Sequence, residues 1–147
     1  MSGIVTWIGI RPERKAPVQP VEYVYADAET GLTGDHPSKP GRQVTLIFQE
    51  ALVEAAVIMD KEKIDPAVTR RNILISGIKG ELKPGVQIAI GEAMLEITGP
   101  CLPCSRMDET IGEGGRSAMA NAKAGGLTAN IVASGKIVVG DTVNVSI

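Results

Sequence analysis

A chain of 147 residues with a formal net charge of −2 is long enough to bury a hydrophobic core and carries no basic excess for holding a polyanion. With one Trp, two Tyr and one Phe it also lacks the aromatic platforms on which bases stack, so nucleic-acid binding is not expected. No apolar run is long enough to span a membrane as a helix, and Met1 to Arg14 has no leader cleavage site, so a cytoplasmic protein without membrane attachment is expected.

Ile4 to Ile10 is apolar and β-prone, and ends in a charged turn, Arg11 to Lys15. Val21-Glu22-Tyr23-Val24-Tyr25 alternates and predicts a second strand. Thr30 to Gly41 is dense in Gly, Pro, Asp and Ser, which predicts a long loop, and it holds the only histidine, His36. A loop of that length in a compact domain is more often functional than not. Arg42 to Phe48 predicts a strand. From Gln49 to Asp60 the period changes, with Leu52, Ala56 and Met59, and Val53 and Val57 beside them, at helical spacing. Glu50 and Glu54 on that helix read as a solvated face. The basic pair Arg70-Arg71 introduces a short strand, Asn72 to Ile75.

Val86, Ile88 and Ile90 alternate, and so does the run from Met94 to Thr98; Gly91-Glu92 between them predicts a hairpin with a type II′ turn. Arg116 to Ala124 predicts a short helix stopped by Gly125-Gly126. Leu127, Ala129, Ile131 and Ala133 alternate next, and Ile137 to Ile147 closes the sheet, with Val143, Val145 and Ile147 on one face. With no linker and no repeat, residues 1–147 predict one domain, mainly β, a barrel or curved sheet with two brief helices.

The chemistry concentrates in Gly99-Pro100-Cys101-Leu102-Pro103-Cys104-Ser105-Arg106, which holds both cysteines and leaves the second strand of the hairpin. Two cysteines make no disulfide framework; a Cys-x-x-Cys spacing points to metal or redox chemistry. A structural zinc would need Cys101, Cys104, His36 and Asp35 together. A thioredoxin-like pair would need a helix opening directly after it, and Pro103 with the Asp- and Gly-rich run beyond does not predict one. Two buried structural cysteines remain a further reading, with Pro, Ser, Arg and Asp as uncongenial company.

Across the chain, Gly31-Leu32-Thr33-Gly34-Asp35-His36, Arg42-Gln43-Val44-Thr45-Leu46, Arg71-Asn72-Ile73, Ile90 to Glu96 and Pro103-Cys104, taken in order, resemble the MOSC domain, the molybdenum cofactor sulfurase C-terminal domain family. The resemblance runs from about Val5 to Val143 and implies a β-barrel with a few short helices that handles the molybdenum cofactor (molybdopterin) or sulfur. Cys104 matches the family's characteristic cysteine, and Cys101 would be a helper. In relatives that reduce N-hydroxylated compounds the matching cysteine ligates molybdenum, so the resemblance implies Cys104 as metal ligand and catalytic group; in sulfurases the domain is coupled to a desulfurase module. Thiolate is a soft ligand and can also hold a persulfide, so a sulfur or cofactor carrier is the alternative, and a binding module with a structural Cys-x-x-Cys a third.

The pterin's phosphate makes Arg42, Arg71 and Arg106, which adjoin the matching motifs, cofactor-binding candidates, because guanidinium forks pair with phosphate. Asn72 reads either as a donor to the pterin edge or as a strand cap. Asp35 and His36 are expected to line the pocket, with the His36 loop supplying protons, while Gly34 serves turn geometry. These residues carry no flavin or iron–sulfur motif, no second barrel and no aminotransferase-like module. Turnover would therefore need an electron-donor reductase, and carriage a cysteine desulfurase or molybdoenzyme as partner.

Overall fold

Alternating apolar side chains make most of the chain extended, and the extended pieces close on one another. A computed structural model describes residues 1–78, 82–104 and 106–146. The expectations that fall on Ser105 and Ile147 lie outside the described residues. In chain order the strands are β1 (Ser2–Ile10), β2 (Gln19–Pro20), β3 (Tyr23–Asp27), β4 (Gly31–Leu32) and β5 (Val44–Phe48). Helix α1 (Gln49–Ile58) and a 3-10 turn (Pro66–Thr69) lead to β6 (Ile73–Ser76), β7 (Gln87–Ile90) and β8 (Ala93–Pro100). Helices α2 (Met107–Thr110) and α3 (Gly115–Asn121) precede β9 (Leu127–Ala133), β10 (Gly135–Val138) and β11 (Thr142–Ser146).

Seven strands form a closed barrel in the order β1-β6-β5-β9-β8-β7-β11, and β11 returns to β1. Closure leaves no unpaired strand edge, which answers the expectation of a mainly β barrel. Every pairing is antiparallel except β5 with β6, and there the chain crosses over through α1 and the 3-10 turn, as a parallel pair requires. The hairpin of β7 and β8 has Ile90 opposite Ala93 and Gly91 at φ +56, the geometry expected for the type II′ turn.

Inside the barrel, Ile8, Leu46, Ile73, Ile75, Ile88, Ile90, Leu95 and Ile97 belong to one buried cluster. Each such side chain contributes about 1.5–3 kcal/mol by leaving water. A second cluster lies on the outside of the wall, where Ile47 and Leu74 meet Leu52, Ala55 and Ala56 of α1, Met107 of α2 and Met119 of α3.

Five sequence expectations need correction. The loop from Thr30 to Gly41 begins with a strand: Asp27 accepts the amides of Glu29 and Thr30, and that turn folds Gly31–Leu32 back onto β3. The last segment is not one strand. Gly140 (φ +98) and the carboxylate of Asp141, bonded to Val138 N at 2.8 Å, break it, so β10 joins β3 and β4 in a small separate sheet and β11 alone closes the barrel. Helix α1 follows β5 with no intervening residue, so the strand sets its phase. Val53 and Val57 come out 58% and 72% exposed, while the small Ala55 and Ala56 sit against the wall.

The run after the cysteines does make one helical turn, α2, because Met107 and Ile111 lie one turn apart and both bury into the outer cluster. Finally, Gly125-Gly126 does not stop α3. Lys123 does, at φ +55, with its amide on Ala120 O and that of Ala124 on Met119 O, a Schellman closure. Among the described residues no helix is long and apolar enough to cross a membrane.

Candidate functional site

The cysteine loop is an extension of the barrel ladder. After Pro100 pairs with Leu127, Cys101 N still donates to Gly126 O at 2.8 Å, and the chain then leaves the sheet. The loop lies so close that a side chain on Gly125 would collide with Cys101 O, and one on Gly126 with Leu46 O. The glycine pair therefore exists for close approach. Arg71, 3% exposed, holds the two segments together: Nε donates to Gly125 O at 2.7 Å and Nη2 to Leu102 O at 3.0 Å. Burial lowers its pKa, the two cysteines raise it, and Arg42 and Arg70 lower it again. Cys101 is buried, Cys104 is half-buried against the outer apolar cluster, and both are free thiols.

Guanidinium groups gather round this loop. Arg42 closes a tight turn onto Lys39 O and points Nη2 at Cys101 Sγ, 3.6 Å away. The 3-10 turn ends in Arg70, held in the left-handed region at φ 63, and the two sites Arg70 Nη2 and Arg11 Nη1 meet on one acceptor, Arg14 O, at 3.1 and 2.8 Å. Arg70 is lowered by burial and by Arg106, and raised by Cys104. Arg11 is lowered by burial and then by Arg70, with Asp35 opposing and Arg71 and Arg42 adding to the depression. Arg106 caps α2, and its buried Nε has no hydrogen-bond partner among the described residues.

Asp35, His36 and Asn72 form a polar strut beside these cations. Asn72 Oδ1 accepts from Thr45 N and Thr45 Oγ1 at 3.0 and 3.1 Å; its Nδ2 donates to Gly9 O at 3.1 Å and Asp35 Oδ2 at 3.4 Å. Two acceptances and two donations fill the amide's capacity. Asn72 therefore ties β1, β5 and the Asp35 loop together, and its side chain offers nothing further to a pterin. Asp35 Oδ1 takes the amide of Arg11 at 2.7 Å. His36 Nε2 lies 3.2 Å from Arg11 Nη2, and a guanidinium only donates, so Nε2 accepts and Nδ1 carries the hydrogen that reaches Pro37 O at 3.1 Å. In this arrangement His36 orients Arg11.

The structure thus gathers Arg42, Arg71 and Arg106 around Cys101 and Cys104, and sets Asp35, His36 and Asn72 behind Arg11. Sequence motifs alone do not mark Arg11 or Arg70 as site residues. Their signal is the register of β1 on β6: Ile8 faces Ile73 and Gly9 N bonds Asn72 O, so the residues leaving β1 come to those entering β6. Among the described residues no three of His, Cys, Asp or Glu converge to hold a metal, so the four-ligand zinc arrangement does not form. A thioredoxin-like context is absent too, since the strands on either side of the loop, β8 and β9, pair antiparallel.

A closed barrel with helices layered on one wall defines the fold class, and solved structures share it. YuaD from Bacillus subtilis has a TM-score of 0.79 at 20% identity, over 99% of this chain and 96% of that one. YiiM from Escherichia coli has a TM-score of 0.75 at 19% identity, over 100% and 70%. YiiM from Geobacillus stearothermophilus has a TM-score of 0.79 at 15% identity, over 100% and 76%. No curated protein matches the chain. The MOSC domain family matches residues 33–144, and the chain belongs to that family. The family is known for binding the molybdenum cofactor.

Proposed function

We propose that the cysteine loop binds the molybdenum cofactor, with Cys104 as the thiolate ligand of the metal and the surrounding guanidiniums holding the anionic pterin phosphate. The observation that carries this is Arg106: a buried guanidinium Nε without a partner among the described residues, next to a half-buried thiol and in the field of Arg70. An unsatisfied buried donor costs about 1–3 kcal/mol, and a bound anion would remove that cost. A soft thiolate beside hard anion donors suits a group with a metal–sulfur end and a phosphate end.

Each residue has a part in this. Arg71 fixes the loop through two carbonyls, so Cys104 is presented in one place. Arg42, Arg70 and Arg106 supply charge, and His36 with Asp35 keeps Arg11 facing the same region. When bound, the cofactor would supply two-electron transfer, so that the N–O bond of an N-hydroxylated molecule breaks with uptake of two protons and release of water. The reaction we propose is reduction of N-hydroxylated small molecules, with electrons from a partner reductase.

Protein made in a cofactor-producing host should contain molybdenum and pterin, and Cys104→Ser should retain only a minor fraction of the molybdenum while Arg106→Met loses most of the pterin. Wild-type metal content in Cys104→Ser would overturn the ligand assignment. A sulfane sulfur appearing on Cys104 after treatment with a cysteine desulfurase and cysteine, in protein that never takes up molybdenum, would mark a carrier instead.

A further inference from the structure

The far side of the cysteine loop faces a different space. A cleft of ≈ 540 Å³ opens between the loop and α3, lined by Phe48, Leu102, Pro103, Met119 and Leu127, with Cys101 and the glycine pair in its wall. That volume lies within the range of small-molecule sites. None of the arginines of the cationic cluster lines it; Lys123 is the one charged residue there among the described residues. Leu102, at its rim, is 77% exposed, an unusual state for a leucine on a loop otherwise pinned in place.

Lys123 occupies the left-handed position that closes α3, at φ +55. Glycine fills such positions without strain, and a lysine there costs conformational energy. Here the side chain adds one positive charge to an otherwise apolar cleft.

We propose that this cleft binds a small molecule with an apolar, ring-sized body and one carboxylate, the body between Leu102, Pro103 and Met119 and the carboxylate on Lys123. Such a ligand lies against the segment whose carbonyls at Leu102 and Gly125 Arg71 grips. Occupancy therefore bears on the loop that carries Cys104. The site stands apart from the cofactor reading: it requires neither molybdenum nor any arginine.

The test is a nitrogen-15 amide titration of the protein as purified, without cofactor, using naphthalene-2-carboxylate and its uncharged carboxamide. The carboxylate should give saturable shifts at the Ala120, Gly125 and Gly126 amides, and the carboxamide should bind roughly fivefold more weakly. Lys123→Gly should weaken the carboxylate by the same factor while keeping or raising Tm, since glycine suits the closing position. Ala120→Trp, at an exposed residue of the cleft wall, should abolish binding by filling the space. Shifts that are absent at those three amides up to millimolar ligand, or equal affinity for acid and amide, would overturn the proposal.

Discussion

The inside of the barrel and the seam outside it are built on opposite principles. Inside, the large side chains are aliphatic, and the polar groups nearby are paired: Thr45 with Asn72, and Thr98 Oγ1 with Thr128 Oγ1 at 2.7 Å. At the seam, where the cysteine loop passes between β9 and the helices, a buried cation grips carbonyls, burial and then neighbouring guanidiniums lower the pKa values of Arg70 and Arg11, and among the described residues the buried Arg106 Nε has no hydrogen-bond partner. The barrel is arranged for its own stability. The seam holds repulsion that Asp35 and the two cysteines oppose from within the chain, and that a bound anion would relieve further.

Substitutions can sharpen that contrast. The largest effect belongs to the barrel: Leu95→Ala, at a fully buried position, should lose about 2–5 kcal/mol in urea unfolding, with no preferential change at the thiols. Arg71→Met comes next. It leaves Gly125 O and Leu102 O without their donor, and about 1–3 kcal/mol should be lost. Cys104 should also be alkylated faster in this variant, because the loop is released. Equal stability and equal alkylation would mean that Arg71 is only a desolvated charge.

Arg70→Gly should act in the other direction. It relieves a left-handed residue at φ 63 and removes one of the mutually repelling cations, so the protein should gain on the order of 1 kcal/mol. Millimolar phosphate should raise the Tm of the wild type, and the same variant should lose much of that rise. A loss of stability on this substitution would break the contrast.

The smallest effect concerns pH. Arg11, Arg70 and Arg71 are held below the ordinary arginine range, so the folded chain binds their protons less tightly than the unfolded chain does. Their penalty is present in full at neutral pH, and stability recovers only as pH rises through the depressed values in strongly alkaline solution. The gain in Arg70→Gly should accordingly be flat across the neutral range, as urea midpoints at several pH values would show.

The barrel was legible because alternation of apolar residues is local: β1, the β7–β8 hairpin and β9 can be read from their own side chains. Where an element's role depends on what it lies against, sequence alone misled. Val53 and Val57 repeat at helical spacing yet face out, since β5 sets the phase of α1. Gly125-Gly126 looks like a helix stop and proves to be room for the cysteine loop, while a lysine does the stopping.

At the site, the motifs that hold Arg42, Arg71 and Cys104 lie far apart in the chain, and it is Arg42 Nη2 at 3.6 Å from Cys101 Sγ and Arg71 Nη2 at 3.0 Å from Leu102 O that bring the two arginines to the cysteine loop. Arg11 stayed hidden because the groups that hold it, Asp35 and His36, belong to the loop after β4, 24 and 25 residues further along the chain. Asn72 carries the family pattern, and its geometry shows a side chain already filled by protein partners.

X-ray absorption at the molybdenum edge, on cofactor-loaded wild type beside loaded Cys104→Ser, tests the metal assignment most directly. The wild-type spectrum should require one more sulfur neighbour than the variant's, with an oxygen neighbour replacing it in the serine form. Identical sulfur coordination in the two proteins would show that Cys104 is not the ligand, and that the cationic seam serves some other anion.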